Sequence, residues 1–100
     1  MARPRLQLHE ILTGITEHVY FQPPENIQMQ YPCIIYSRNA SSVDHANNDL
    51  YRHAKRYQVT VIDRDPDTPL TDMVEALEFC SFQRFFAADD LNHYVFYLFF

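Results

Sequence analysis

Two rhythms of apolar and polar positions run through this chain. Leu8, Ile11, Leu12 and Ile15 recur at i, i+3, i+4 and i+7, the spacing of one helix face. Pro4 suits the first turn of that helix, where its missing N–H costs nothing, and Gly14 and Thr16 mark the stop, so a helix is predicted over residues 4–13. Leu70, Met73, Val74 and Leu77 repeat the stripe, with Thr68 as N-cap and Pro69 as first helical residue, which predicts a second helix over residues 69–78.

The other rhythm has period two. Residues 18–22 form a short β-prone run closed by Pro23-Pro24, an edge strand by expectation because proline cannot serve a central ladder. Residues 25–30 alternate, with Ile27 and Met29 on one side, and Tyr31-Pro32 opens a strand at residues 33–38. In the long strand at 51–63, Tyr57, Val59 and Val61 share a face, and Arg52, Ala54, Arg56, Gln58 and Thr60 take the other.

Residues 80–100 read as two strands around a polar turn, Asp89-Asp90-Leu91-Asn92, whose side chains bond their own backbone and tolerate unusual dihedrals. Alternation puts Phe82, Arg84 and Phe86 on one face of the first strand and Ser81, Gln83 and Phe85 on the other. The second strand is apolar on both faces: Val95, Tyr97 and Phe99 on one, Tyr94, Phe96, Leu98 and Phe100 on the other. Such a strand needs cover on both sides. The helices supply one cover, and a neighbouring subunit is expected to supply the other.

The order is thus α-β-β-β-α-β-β. The expected fold is α+β, a mostly antiparallel sheet of four to five strands with two helices packed on one face. With 100 residues the chain is expected to be a single domain. It has no apolar run near the roughly 18 residues needed to span a bilayer and no signal-peptide pattern, so a soluble intracellular protein without membrane partners is expected. Cys33 and Cys80 sit in apolar strand-like surroundings and read as buried, reduced thiols.

Charge narrows the function. The net charge of −5 argues against a nucleic-acid grip, which needs clustered Lys and Arg to neutralise phosphates. The cluster Arg52, His53, Lys55 and Arg56 is short and has no helix to enter a groove, so it reads as a strand end or as a partner for acids on another chain. Asp63, Asp65 and Asp67 imitate the start of a calcium loop. Thr68 stands where its glycine is needed and Val74 where its bidentate glutamate is needed. They read instead as a turn placing negative charge before a helix N-terminus, favourable by about 0.3–1 kcal/mol each.

The five histidines stand apart, with no metal-ligand spacing, and no phosphate-cradling glycine loop or serine elbow appears. No catalytic residue, metal or cofactor is therefore expected, and His93 reads as a hydrogen-bonded turn histidine. The polar stretch 39–50, with Asn39, Ser41, Ser42, Asp44, His45, Asn47 and Asn48, reads as an exposed contact loop.

Three blocks carry a resemblance: Tyr31-Pro-Cys-Ile-Ile-Tyr; Lys55-Arg-Tyr-Gln-Val-Thr-Val-Ile-Asp with Asp65-Pro-Asp-Thr; and 82–99, whose part from Arg84 onward is the most specific. Together with the helices they cover most of the chain. The chain resembles the small tail-terminator or head–tail completion proteins of long-tailed bacteriophages. That resemblance implies a structural, non-enzymatic virion protein, assembled in the host bacterial cytoplasm. Its subunits would form a hexameric ring that caps the tail tube, stops its growth and provides the head-joining surface while DNA passes unheld. Its partners would be further copies of itself, the tail tube protein and a head-completion or connector protein.

In such a ring Arg84, Asp89, Asp90, Asn92 and His93 are expected to fix the final hairpin and reach a neighbour. Arg52, Lys55 and Arg56 are expected to pair with Asp63, Asp65 and Asp67 of the next chain. The 39–50 loop would touch tail tube or head. Another neck protein (a stopper or connector), a small phage regulatory module, and a ligand-binding or catalytic α+β domain are the alternative readings.

Overall fold

A computed structural model describes residues 4–24, 27–38 and 55–100. The expected contact loop at 39–50, together with Arg52 and His53, lies outside the described residues. Within them the order is α1 (Arg5–Thr13), β1 (Val19–Phe21), β2 (Cys33–Arg38), β3 (Arg56–Asp63), α2 (Leu70–Glu75), β4 (Cys80–Ala88) and β5 (Leu91–Phe99). The fold is α+β, with one five-stranded sheet in the order β1-β2-β3-β5-β4.

The β2–β3, β3–β5 and β5–β4 pairings are antiparallel, and β1 runs parallel to β2, so the sheet is mixed. Gln22 and then Pro23-Pro24 follow β1, and the prolines cannot continue its ladder; the chain re-enters the sheet at Cys33, parallel to β1. None of the described helices is long and apolar enough to cross a membrane.

Both helices lie on one face, as the single stripe on each requires. Leu8 and Leu12 of α1 and Leu70 and Val74 of α2 join Ile34, Tyr36, Tyr57, Val59, Val61, Phe96, Leu98 and Phe100 in a single buried cluster. The strand members are alternate residues of β2, β3 and β5, which the register sets in rows: Tyr36 opposite Val59, and Val59 opposite Phe96. Ile11 and Met73, at the margins of their stripes, stay exposed.

Helix α1 ends at Gly14, but not through a left-handed cap: Gly14 has φ −70° and its N–H donates to the Glu10 and Ile11 carbonyls. α2 is shorter than its stripe suggests. Pro69 already has helical dihedrals (φ −74°, ψ −11°), and Thr68 Oγ1 accepts the Leu70 N–H at 3.2 Å, so the expected cap is in place.

Candidate functional site

The final hairpin departs from simple alternation. Its loop is two residues, Asp89 and Asp90, both left-handed at φ 55° and 64°, while Leu91 and Asn92 already belong to β5. Positive φ at both loop positions gives the primed geometry that matches strand twist, and aspartate tolerates it better than most side chains. A β-bulge between Phe82 and Arg84 then shifts the register by one residue. Phe82 lies opposite Phe96 and Phe85 opposite Tyr94, on the helix face; Ser81, Arg84 and Phe86 lie opposite Tyr97, Val95 and His93, on the other. The expected sharing of one face by Phe82, Arg84 and Phe86 is therefore corrected, because the extra residue at Gln83 flips everything before it.

The bulge sets Phe82 and Phe85 on the same face, where both stay about half exposed. β4 is the sheet edge, and its residues from Ser81 to Ala88 are all exposed. On the helix face Phe82 is 46% exposed and Phe85 50%, with Phe79 at 39% just before the strand. Each leans on β5: Phe82 meets Phe96 edge-on at 5.5 Å between centroids, and Phe85 meets Tyr94 at 5.0 Å. The opposite face, expected to hold the surplus apolar surface, buries Cys33, Ile62 and Val95 within the chain. The surplus lies along the edge.

Of the expected hairpin residues, Asn92 and His93 are half-buried, on opposite faces of β5. Asn92 Nδ2 donates to the carbonyls of Asp63 and Arg64, both at 3.2 Å, tying the start of β5 to the β3–α2 loop. His93 is not the hydrogen-bonded turn histidine expected from its neighbours. It lies opposite Ile62 and stacks on Phe86 at 4.5 Å and 12°, and its Nδ1 is buried without a hydrogen bond among the described residues. Arg84 remains on the exposed strand, its guanidinium 5.5 Å from the Phe86 ring.

The two sheet ends differ in charge. At one end Asp65 N donates to Asp63 Oδ1 at 3.0 Å and Asp67 N to Asp65 Oδ1 at 2.9 Å, so the expected turn of aspartates is built by successive side-chain-to-backbone bonds. Asp89 and Asp90 close the hairpin at that same end, since Ala87 and Asp63 both pair with Asn92. Tyr94 donates to the Pro66 carbonyl at 2.8 Å, and its phenol is pushed up by burial and then by Asp67, Asp65 and Asp63. Arg64, within the turn, lies over the Tyr31 ring at 5.4 Å.

Arg38, Lys55 and Arg56 gather at the opposite end, where Arg38 pairs with Tyr57 and Arg56 with Phe99. Arg56 lies over Tyr97 at 4.5 Å. The eight residues of β3 put about 23 Å between Arg56 and Asp63, so these groups cannot meet within one chain.

Near the basic end lies a group the sequence reading missed. Tyr36, fully buried, takes a hydrogen bond from Arg5 at 3.0 Å and its hydroxyl stands 2.8 Å from His9 Nδ1, while Arg5 covers Phe21 at 4.2 Å. The two Tyr36 contacts join residues 31 and 27 positions apart and left no local pattern to read. They anchor α1 to the sheet. A cleft of about 110 Å³ lined by Leu8, Ile11, Leu77, Glu78, Leu98 and Phe100 separates α1 from the end of α2. It is small beside the roughly 300–1,000 Å³ of typical small-molecule sites.

No protein-family model, no curated protein and no solved structure matches this chain. The site is therefore defined by its own geometry: an aromatic edge strand with an acidic tip, and an opposite end where Arg38, Lys55 and Arg56 stand near Glu75 and Glu78.

Proposed function

We propose that the chain is a structural subunit of a bacteriophage neck, forming a ring that caps the tail tube, ends its growth and offers the head-joining surface. The observation that carries this reading is β4, a nine-residue edge strand with half-exposed phenylalanines. A long apolar edge left open invites pairing with another chain, and natural proteins cover such an edge when they use it. The resemblance of the three sequence blocks to tail-terminator proteins supplies the biological setting. An acidic chain suits a channel that DNA must traverse without sticking.

The test is the solution mass of the purified chain by light scattering, negative-stain imaging of any large species, and co-sedimentation with purified tail tubes. A ring with a central hole that seats on tube ends is expected. A protein that remains single-chain and ignores tube ends overturns the reading.

A further inference from the structure

We propose that Arg5, Arg38 and the Tyr57 hydroxyl form a binding site for a phosphate group, free or as a monoester. The site lies on the helix face where α1 begins, away from β4, and it stands whether or not the chain forms a ring.

Three elements bring the donors together. Arg5 comes from the first turn of α1, Arg38 from the end of β2 and Tyr57 from the start of β3. Arg38 pairs with Tyr57 across the ladder, its guanidinium 5.9 Å from the Tyr57 ring. Tyr36 shares that face two residues earlier. Its ring centroid is 6.0 Å from that of Tyr57, and its hydroxyl accepts from Arg5 at 3.0 Å. Both guanidinium charges act on the Tyr57 phenol: burial pushes it up, Arg38 draws it back, Tyr36 raises it and Arg5 lowers it again.

The hydrogen bonds of the cluster leave donors unused. Arginine can only donate, so the Tyr36 oxygen accepts from Arg5, and its proton can go to His9 Nδ1 at 2.8 Å. Tyr36 is thereby satisfied. Tyr57 is 1% exposed, yet its hydroxyl makes no hydrogen bond among the described residues. Neither arginine has an ion pair among them, where the one salt bridge joins His18 to Glu17.

The acids of this sheet end lie elsewhere. Glu78 lines the cleft with Ile11, and at 100° per residue Ile11 falls on the opposite flank of Leu8 from Arg5 and His9. Glu75 acts on Cys80, and Glu10 is exposed on the outer side of α1. The first turn of α1 holds no acid and no side-chain cap, so the positive end of the helix adds to the field of Arg5. Two guanidinium groups balance the nearly double charge of phosphate at neutral pH, which favours phosphate over a carboxylate.

The test is calorimetric titration of the full chain with inorganic phosphate, glycerol 3-phosphate and acetate at one ionic strength, repeated on three variants. Arg38→Gln removes an exposed charge and is expected to weaken phosphate binding about 10- to 100-fold. Tyr57→Phe removes a hydroxyl that bonds nothing described in the fold, so the urea midpoint is expected to hold while affinity falls about 2- to 10-fold. Arg64→Gln takes the same charge from the other sheet end and is expected to bind as wild type.

Equal affinity for inorganic phosphate and glycerol 3-phosphate assigns the phosphoryl group in general, and binding of inorganic phosphate alone assigns the free ion; either upholds the site. Acetate bound as tightly as phosphate overturns the phosphate assignment. No saturable binding by the wild-type chain, or three variants that all bind as it does, overturns the site itself.

Discussion

Strands β4 and β5 are equal in length, adjacent in sequence and both rich in phenylalanine, yet they live in different environments. β5 lies between β3 and β4 with the helices above it, and buries Val95, Phe96 and Leu98. β4 pairs with β5 on one side and with no other described strand, and its phenylalanines stay roughly half exposed. Composition did not decide this; position in the sheet did. The same side chain stabilises the fold at Phe96 and is available for association at Phe85.

That contrast is broken most severely from the buried side. Phe96→Ala is expected to cost about 3–5 kcal/mol, because a cavity opens beneath both helices, read as a large drop in urea midpoint. Tyr36→Phe leaves Arg5 and His9 without their shared hydroxyl and is expected to cost about 1.5 kcal/mol in the same measurement. Thr68→Ala removes the acceptor for Leu70 N–H and is expected to cost about 1 kcal/mol. Phe85→Ala, on dilute protein, is expected to cost less than about 1 kcal/mol, since only the contact with Tyr94 is lost. A Phe85→Ala cost equal to that of Phe96→Ala would erase the distinction between the strands.

Alkaline pH sharpens the same picture through the thiols. Burial first, then Asp63, pushes the Cys33 thiol up to about 11, and burial with Glu75 does the same for Cys80. Between the ordinary value of 9.0 and about 11, the unfolded chain loses protons that the folded chain retains. Rising pH therefore favours unfolding, and stability present below pH 9 declines toward pH 11. A urea midpoint lower at pH 10 than at pH 8 is expected, with a smaller decline in Cys33→Ala/Cys80→Ala. An equal decline in that variant would assign the effect to other groups.

Much of the fold was legible because its signals are periodic. Leu8 and Leu12, Leu70 and Val74, and Tyr57, Val59 and Val61 announced their faces by spacing, and the helix-strand order followed. The bulge was not legible, since a single inserted residue at Gln83 has no signature of its own and reverses the facing of everything before it. The parallel β1–β2 pair depends on how a long connection returns, which Pro23-Pro24 constrains without specifying. At the candidate site, the acidic turn and the hairpin tip were readable from their aspartates. The contacts of Asn92 and His93 with other strands and the Arg5–His9–Tyr36 group required tertiary contacts that no local pattern encodes.

The claim that β4 joins copies while β5 holds the fold is tested most directly by the solution mass of Phe82→Ser/Phe85→Ser beside wild type, each checked for folding by circular dichroism. The expected result is a multimeric wild type and a folded variant at the 11.9 kDa single-chain mass. A folded variant that keeps the wild-type mass would contradict it.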